Sequence, residues 1–310
     1  MPIPTLVIHG GAGLVKAHIF AEHQEADYQA GLSAALAAGL AVLAAGGPAL
    51  DAAQRAVEVL EDHPGFNAGR GAVYAHEGHI ELDASIMCGA TGRAGAVAGV
   101  RTLRHPIQGA RVVLERSAHV LLAGAGADTY CAGQGVATAP PAHFHTDLRW
   151  QQLQAAKTAD RIALDHDGAP GPVTDAKLGT VGAVALDAAG RLAAATSTGG
   201  MTNKRWGRIG DSPLIGAGTF ADGRVAISCT GHGEHFMRHV AAHAVAQRVE
   251  LLGEPLGAAC QAVLDRIEAS GGLGGLIAVD AGGAIALPFN TGGMFRGHQA
   301  VGGPATVAIW

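Results

Sequence analysis

The sequence predicts a layered α/β sandwich built on mainly antiparallel sheets, and three observations point there. Helical and β-like segments come in blocks in both halves of the chain instead of strict alternation. Two apolar runs, Thr180–Leu186 and Arg191–Thr196, flank Asp187-Ala188-Ala189-Gly190, a good hairpin connection. The 310 residues are 48% hydrophobic and 15% charged, which suits a large buried core in one large domain or two ordinary ones.

Each element follows from local signals. Thr5–Ile8 is a short strand that runs into His9-Gly10-Gly11-Ala12-Gly13. That cluster lacks GxGxxG spacing and no Lys-Ser/Thr follows, so it reads as close backbone packing near an active site, not a phosphate loop. Helical signals cover Ala26–Ala45, which stops at Gly46-Gly47-Pro48, and Leu50–Glu61, with Asp51 placed to cap the second. His63–Gly71 is a turn-rich loop, and Ala72–Tyr74 and Ile80–Met87 are strand-like. Val112–Leu122 mixes helix and strand signals, and Asp147–Leu164 reads as a helix. His166–Leu178, with Gly168, Pro170, Gly171 and Pro172, reads as an exposed, mobile connection. Beyond the hairpin, Val225–Cys229, Leu276–Val279, Ala284–Pro288 and Thr306–Trp310 are strands, and Glu234–Leu252 and Leu256–Ala269 are helices.

Composition excludes several classes of function. The net charge is −5 and no Lys/Arg run interleaves with aromatics, which argues against nucleic-acid binding. Cys88, Cys131, Cys229 and Cys260 are widely spaced and read as buried thiols in a reducing compartment. Met1–His9 has neither the basic segment nor the long apolar core of a signal peptide. No apolar stretch reads as a membrane span, and Gly31–Ala45 reads as a core helix, so a cytoplasmic location is expected. His235, His239 and His243 recur every four residues and would share one helix face. Phe236 stands where a zinc protease needs Glu, so a polar face is expected, not a metal site.

The chemistry centres on Leu178-Gly179-Thr180-Val181-Gly182-Ala183-Val184. A threonine hydroxyl is a poor nucleophile until a base takes its proton. Cleavage before Thr180 would free an α-amine on the same residue, with an ordinary pKa of about 7.7–8.0 that burial lowers. Gly179 has no Cβ and tolerates the strained geometry of attack by the Thr180 hydroxyl on its carbonyl. The next strand ends in Ser197-Thr198-Gly199-Gly200-Met201-Thr202-Asn203-Lys204, and hairpin pairing would bring Thr198 beside Thr180. In Gly207-Arg208-Ile209-Gly210-Asp211-Ser212-Pro213, Arg208 would hold a carboxylate and Asp211 an ammonium; a plain surface ion pair is the alternative. Thr230-Gly231-His232-Gly233-Glu234 follows a strand at a helix start, where the Thr230 hydroxyl and Gly231 N–H would hold an oxyanion.

Gly179–Val184, Ser197–Lys204, Gly207–Pro213 and Cys229-Thr230-Gly231 together closely resemble the plant-type L-asparaginase/isoaspartyl peptidase family of N-terminal nucleophile hydrolases. The resemblance continues in His9-Gly10-Gly11-Ala12-Gly13, Phe66-Asn67-Ala68-Gly69, Glu81-Leu82-Asp83-Ala84 and Asn290-Thr291-Gly292-Gly293-Met294, so it covers nearly the whole chain. It implies a single αββα four-layer sandwich, two mainly antiparallel sheets between helix layers. It implies self-cleavage at Gly179-Thr180 into chains 1–179 and 180–310 that assemble as (αβ)2. Thr180 would be the nucleophile with its own amine as base, and Thr198 its hydrogen-bonding support. Thr230 and Gly231 would stabilise the oxyanion, Arg208 and Asp211 would anchor substrate, and Asn67 would stand near the nucleophile. The implied reaction hydrolyses L-asparagine or N-terminal β-aspartyl (isoaspartyl) dipeptides, with no cofactor for catalysis. The resemblance also implies a structural sodium ion on the backbone carbonyls of Leu60, Glu61, His63, Phe66, Ala68 and Arg70.

Four positions depart from the family pattern. His232 follows the oxyanion pair, and Arg205-Trp206 precede Gly207, where smaller residues are common; all three would line the pocket mouth. Arg70 adds a charge to the sodium loop and would face solvent. Two other readings stand beside the amidohydrolase: an uncleaved amino-acid-binding homologue, and a glycosylasparaginase that removes asparagine-linked sugars.

Overall fold

Strands rich in Ala and Gly let two sheets approach closely, and that packing organises the molecule. The structure, a computed structural model, describes residues 2–13, 22–159 and 179–310. The predicted connection His166–Leu178 and the end of the predicted helix at Leu164 lie outside them.

The larger sheet comprises β1 (Thr5–Gly13), β2 (Leu82–Cys88), β3 (Ala94–Val100), β4 (Leu121–Ala123), β5 (Val181–Leu186), β6 (Leu192–Thr198), β11 (Gly293–Ala300) and β12 (Thr306–Ala308). Its order is β12-β11-β1-β5-β6-β2-β3-β4, and among the described residues β3–β4 is its one parallel pair of strands. The smaller sheet comprises β7 (Thr219–Ala221), β8 (Val225–Gly231), β9 (Gly274–Asp280) and β10 (Ile285–Ala286), in the order β10-β9-β8-β7, all antiparallel. The two sheets meet face to face through Val7, Val184, Leu186, Ala194, Ala226, Ile277 and Val279.

Helices cover both outer faces. On the large sheet lie α1 (Glu22–Ala44), α2 (Ala49–Asp62) and α3 (Pro106–Arg116), with α4 (Gly124–Gly133) beside β3. Two further helices follow, α5 (Pro141–Phe144) and α6 (Asp147–Thr158). Against the small sheet pack α7 (Gly233–His239), α8 (Ala241–Leu252) and α9 (Leu256–Ala269). This is the expected helix–sheet–sheet–helix sandwich. α1 contains a stretch, Glu25–Ala44, long and apolar enough by length and composition alone to cross a membrane. Its Leu32, Ala35, Leu36 and Leu43 instead join the core beneath the large sheet, as Gly31–Ala45 predicts.

Several expectations change. Asp51 does not cap α2; Pro48 holds that position and Asp51 pairs with Arg111 at 2.7 Å. The cap comes from the hairpin: Asp187 Oδ2 accepts the Ala49 N–H at 3.1 Å, which ties α2 to the β5–β6 turn. The single helix predicted for Glu234–Leu252 is two, broken at Val240 (φ +46°). The break separates His235 and His239 from His243, which meets the Phe220 ring edge-on. Among the described residues no group of His, Cys, Asp or Glu has the arrangement of a metal site. Cys131, Cys229 and Cys260 are buried free thiols, whereas Cys88 is only partly buried.

Candidate active site

Hairpin register places the nucleophile candidate. Val181 pairs with Ser197 across β5–β6, so Thr180 emerges beside Thr198 at the same sheet end. Thr180 Oγ1 donates to Thr198 Oγ1 at 3.0 Å and lies 3.5 Å from Ser212 Oγ. Thr198 Oγ1 also accepts the Gly200 N–H at 3.0 Å. Thr180 is only 8% exposed, so its hydroxyl sits where water is scarce and a hydrogen bond is strong.

Gly179 packs directly on the glycine-rich end of β1. Gly11 has φ +110°, and a Cβ there would stand 2.4 Å from the Gly179 nitrogen. Only glycine allows so close an approach in that conformation, as expected for His9–Gly13. His9 is fully buried, and burial pushes its imidazole down to about 3, so it is neutral. His9 Nε2 lies 2.8 Å from Ser228 Oγ, which lies 2.8 Å from Thr196 Oγ1. Thr196 meets Thr219, and Ser85 joins Thr219 Oγ1 (2.7 Å) to the Ser212 carbonyl (2.6 Å). A seam of uncharged donors and acceptors thus runs between the sheets to the residue beside Thr180.

Thr230 and Gly231 close the other side. Thr230 is fully buried and its Oγ1 accepts the Ala12 N–H at 3.4 Å. Gly231 (φ +141°) lines the cavity, and a Cβ there would strike the Leu273 carbonyl at 2.3 Å. The expected helix start contributes less than the sequence implies, because α7 has only 7 residues and the pair belongs to the end of β8.

Arg208 and Asp211 line the same small cavity as Gly179, Thr180, Thr198 and Ser212. Asp211 is buried and, among the described residues, its Oδ2 has no hydrogen-bond partner. Burial pushes its carboxyl up to about 7, against the pull of Arg208. Arg208 is bound by Glu234, Nε to Oε1 and Nη2 to Oε2, both at 2.9 Å. Asn67 stands one step back from the nucleophile. Its Nδ2 donates to the Gly200 carbonyl (2.8 Å), its Oδ1 accepts the Val73 N–H (3.0 Å), and its carbonyl accepts the Gly199 N–H (3.1 Å). It therefore fixes the Gly199–Gly200 turn that holds Thr198.

The departures from the family pattern are not among the residues that line the cavity. His232 is tied to the Leu273 backbone in both directions, at 3.1 Å through Nδ1 and 2.8 Å through its N–H. Trp206 (φ +58°) stands 88% exposed and Arg205 half-buried, neither among the lining residues. Arg70 faces solvent as expected.

In the loop after α2, the carbonyls of Leu60, His63, Phe66 and Ala68 each accept one turn N–H, which leaves a second lone pair on each. A Cβ on Gly69 would lie 2.4 Å from the Glu61 carbonyl, and one on Gly71 2.1 Å from that of Phe66. This tightly wound, oxygen-only donor set fits a hard cation. Three contributors went unassigned in the sequence: Ser212, Glu234 and the His9–Ser228 pair. Ser212 lies inside a segment that already carried the resemblance and Glu234 three residues beyond another, but nothing in their spacing shows which partner each takes.

A buried threonine hydroxyl held by a second threonine, facing a cation and an anion three residues apart, defines a hydrolase site for a small molecule. A family model described as asparaginase matches residues 2–309, and the chain belongs to that family. It is 51% identical to the isoaspartyl peptidase of Salmonella typhimurium, over 99% of this chain and 98% of the relative. It is 48% identical to the isoaspartyl peptidase of Escherichia coli, over 99% and 96% respectively. An isoaspartyl peptidase/L-asparaginase of Danio rerio is 40% identical, over 93% of this chain and 90% of the relative.

Proposed function

We propose that the chain is the precursor of a threonine amidohydrolase that cuts itself before Thr180 and then hydrolyses L-asparagine or β-aspartyl dipeptides. The observation that carries this reading is the Thr180–Thr198 hydroxyl pair in one cavity with Arg208 and Asp211. The names of the relatives support the same substrate class.

In the precursor, Thr180 Oγ1 attacks the Gly179 carbonyl, the peptide C–N bond breaks, and water hydrolyses the resulting ester. Chains 1–179 and 180–310 remain together, and the new Thr180 amine serves as base. In turnover, Arg208 anchors the α-carboxylate and ionised Asp211 the α-ammonium of the substrate. Thr180 Oγ1 then attacks the side-chain carbonyl of the aspartyl unit, its proton passing to the amine. Thr198 steadies the attacking oxygen, and Thr230 Oγ1 and the Gly231 N–H face the oxyanion. Ammonia or an amino acid leaves with that proton, and water releases aspartate from the β-aspartyl ester.

The carbonyls of Leu60, Glu61, His63, Phe66, Ala68 and Arg70 would hold a sodium ion that stiffens the loop carrying Asn67. Assembly as (αβ)2 belongs to the same reading. So does a cytoplasmic location, which the buried free thiols of Cys131, Cys229 and Cys260 suit. The test is aspartate release from asparagine and from a β-aspartyl dipeptide, beside a Thr180→Ala control. Release by the parent and none by the control is expected; equal release from both refutes Thr180 as nucleophile.

A further inference from the structure

A guanidinium and a buried carboxylate that face one cavity attract each other. If they formed a direct ion pair, neither charge would be free for a zwitterionic amino acid. The structure holds them apart. Arg208 gives Nε and Nη2 to the two oxygens of Glu234, a parallel pair of charge-assisted bonds. Asp211 feels the charge of Arg208, yet its Oδ2 takes no hydrogen bond from the described residues. Gly233 stands between the two poles: a Cβ there would lie 2.8 Å from Arg208 Nη2 and 2.9 Å from Asp211 Oδ1. Any side chain at that position would fill the gap. Gly210 leaves matching room beneath the other end of the guanidinium, where a Cβ would lie 2.8 Å from Nη1.

A guanidinium has two edges that match a carboxylate. Glu234 occupies the Nε/Nη2 edge, and the Nη1/Nη2 end remains on the side of Gly210 and Gly233. We propose that Glu234 is the positioning residue of the substrate clamp. It holds Arg208 by one edge, keeps it from collapsing onto Asp211, and leaves the guanidinium end and Asp211 Oδ2 open for the two charges of the substrate. The proposal rests on reading Arg208 and Asp211 as that clamp. Burial works against the charge on Glu234, but the hydrogen bonds and charge of Arg208 prevail and hold its carboxyl below the usual range. The tether is therefore charged wherever the enzyme's amine base is functional.

Steady-state kinetics of the matured full chain test the idea with asparagine and a β-aspartyl dipeptide. Glu234→Gln should raise KM by about tenfold or more for both, since charge-assisted bonds are lost and Arg208 is freed. Its kcat should stay within about twofold, because no reacting atom is touched. Glu234→Asp keeps the charge and should restore most of the lost affinity. The double variant Arg208→Ala/Glu234→Gln should match Arg208→Ala alone, since the second residue acts only through the first. If Arg208→Ala raises KM while Glu234→Gln does not, the positioning role is wrong and the clamp stands. If Arg208→Ala leaves KM unchanged, the clamp reading itself fails. A fall in kcat with unchanged KM in Glu234→Gln would also overturn the proposal.

Discussion

The two walls of the cavity are built from opposite materials. The wall that carries Thr180 is neutral: Thr198 and Ser212 line the cavity beside it, and behind them Ser85, Thr219, Thr196, Ser228 and a buried, uncharged His9 continue a seam of hydrogen bonds between the sheets. The wall that carries Arg208 is ionic, with Asp211 buried and Glu234 at its edge. Strands β1, β2, β5, β6, β7 and β8 fix the first wall and the seam behind it, while a loop and the seven-residue α7 present the second. The difference teaches a division of labour. Neutral hydroxyls do not repel or attract the chain that must be cut, so they suit bond-breaking in the precursor as well as in turnover. In the proposed clamp, charges would select and hold a free amino acid, and self-cleavage would have no use for them.

The largest effect should come from the neutral wall. Thr180→Ala is expected to abolish both self-cleavage and turnover, read as one persistent full-length band and no aspartate release. Thr198→Ala should slow both steps by about 10²–10³-fold in rate with little change in KM, since the hydroxyl that accepts the Thr180 hydrogen bond and orients the reacting oxygen is lost. A variant that loses only substrate turnover would break the shared-machinery half of the comparison.

On the ionic wall, Arg208→Ala should raise KM by about thirtyfold or more, on the order of 2–3 kcal/mol for a charged hydrogen-bonding anchor. Its rate of self-cleavage, followed by denaturing gel, should stay near that of the parent. Loss of cleavage with unchanged KM would erase the proposed division.

Asp211 gives the smallest and sharpest prediction, because its folded carboxyl is raised from 3.8 to about 7. An acid raised in this way favours the fold fully below about pH 4, and that contribution is lost as pH rises through about 7. In a Thr180→Ala background, which keeps every chain uncut, Asp211→Asn should therefore raise the melting temperature at pH 8. The gain should be a few degrees, about 2–4 °C for each kcal/mol recovered, and it should shrink towards pH 5. Substrate binding runs the other way: ammonium anchoring needs the carboxylate, so KM of the parent should fall as pH rises through about 7. An unchanged melting temperature at pH 8 would mean that Asp211 is not strained by burial.

Much of this was legible in the sequence, and the reasons differ by element. The β5–β6 hairpin was readable because Asp187-Ala188-Ala189-Gly190 is a turn signal between apolar runs, and register then carries Thr180 to Thr198. α9 appears at its predicted bounds, Leu256–Ala269, because its apolar periodicity ends cleanly. β3 was missed because Ala-Gly-Ala-Val-Ala-Gly-Val has poor β-propensity and gains its strand form from packing on α3. β11 was missed because Arg296, His298 and Gln299 break its apolar pattern, while pairing with β1 fixes it regardless. The break at Val240 has no local signal, since neither Gly nor Pro marks it. The Glu234 tether is a contact over 26 residues, which spacing along a chain does not encode.

N-terminal sequencing of purified protein, sampled in step with its aspartate-releasing activity, tests the central claim most directly. A second terminus beginning Thr180-Val181-Gly182 should appear and rise in proportion to activity. Full activity from protein that shows only the original terminus would contradict it.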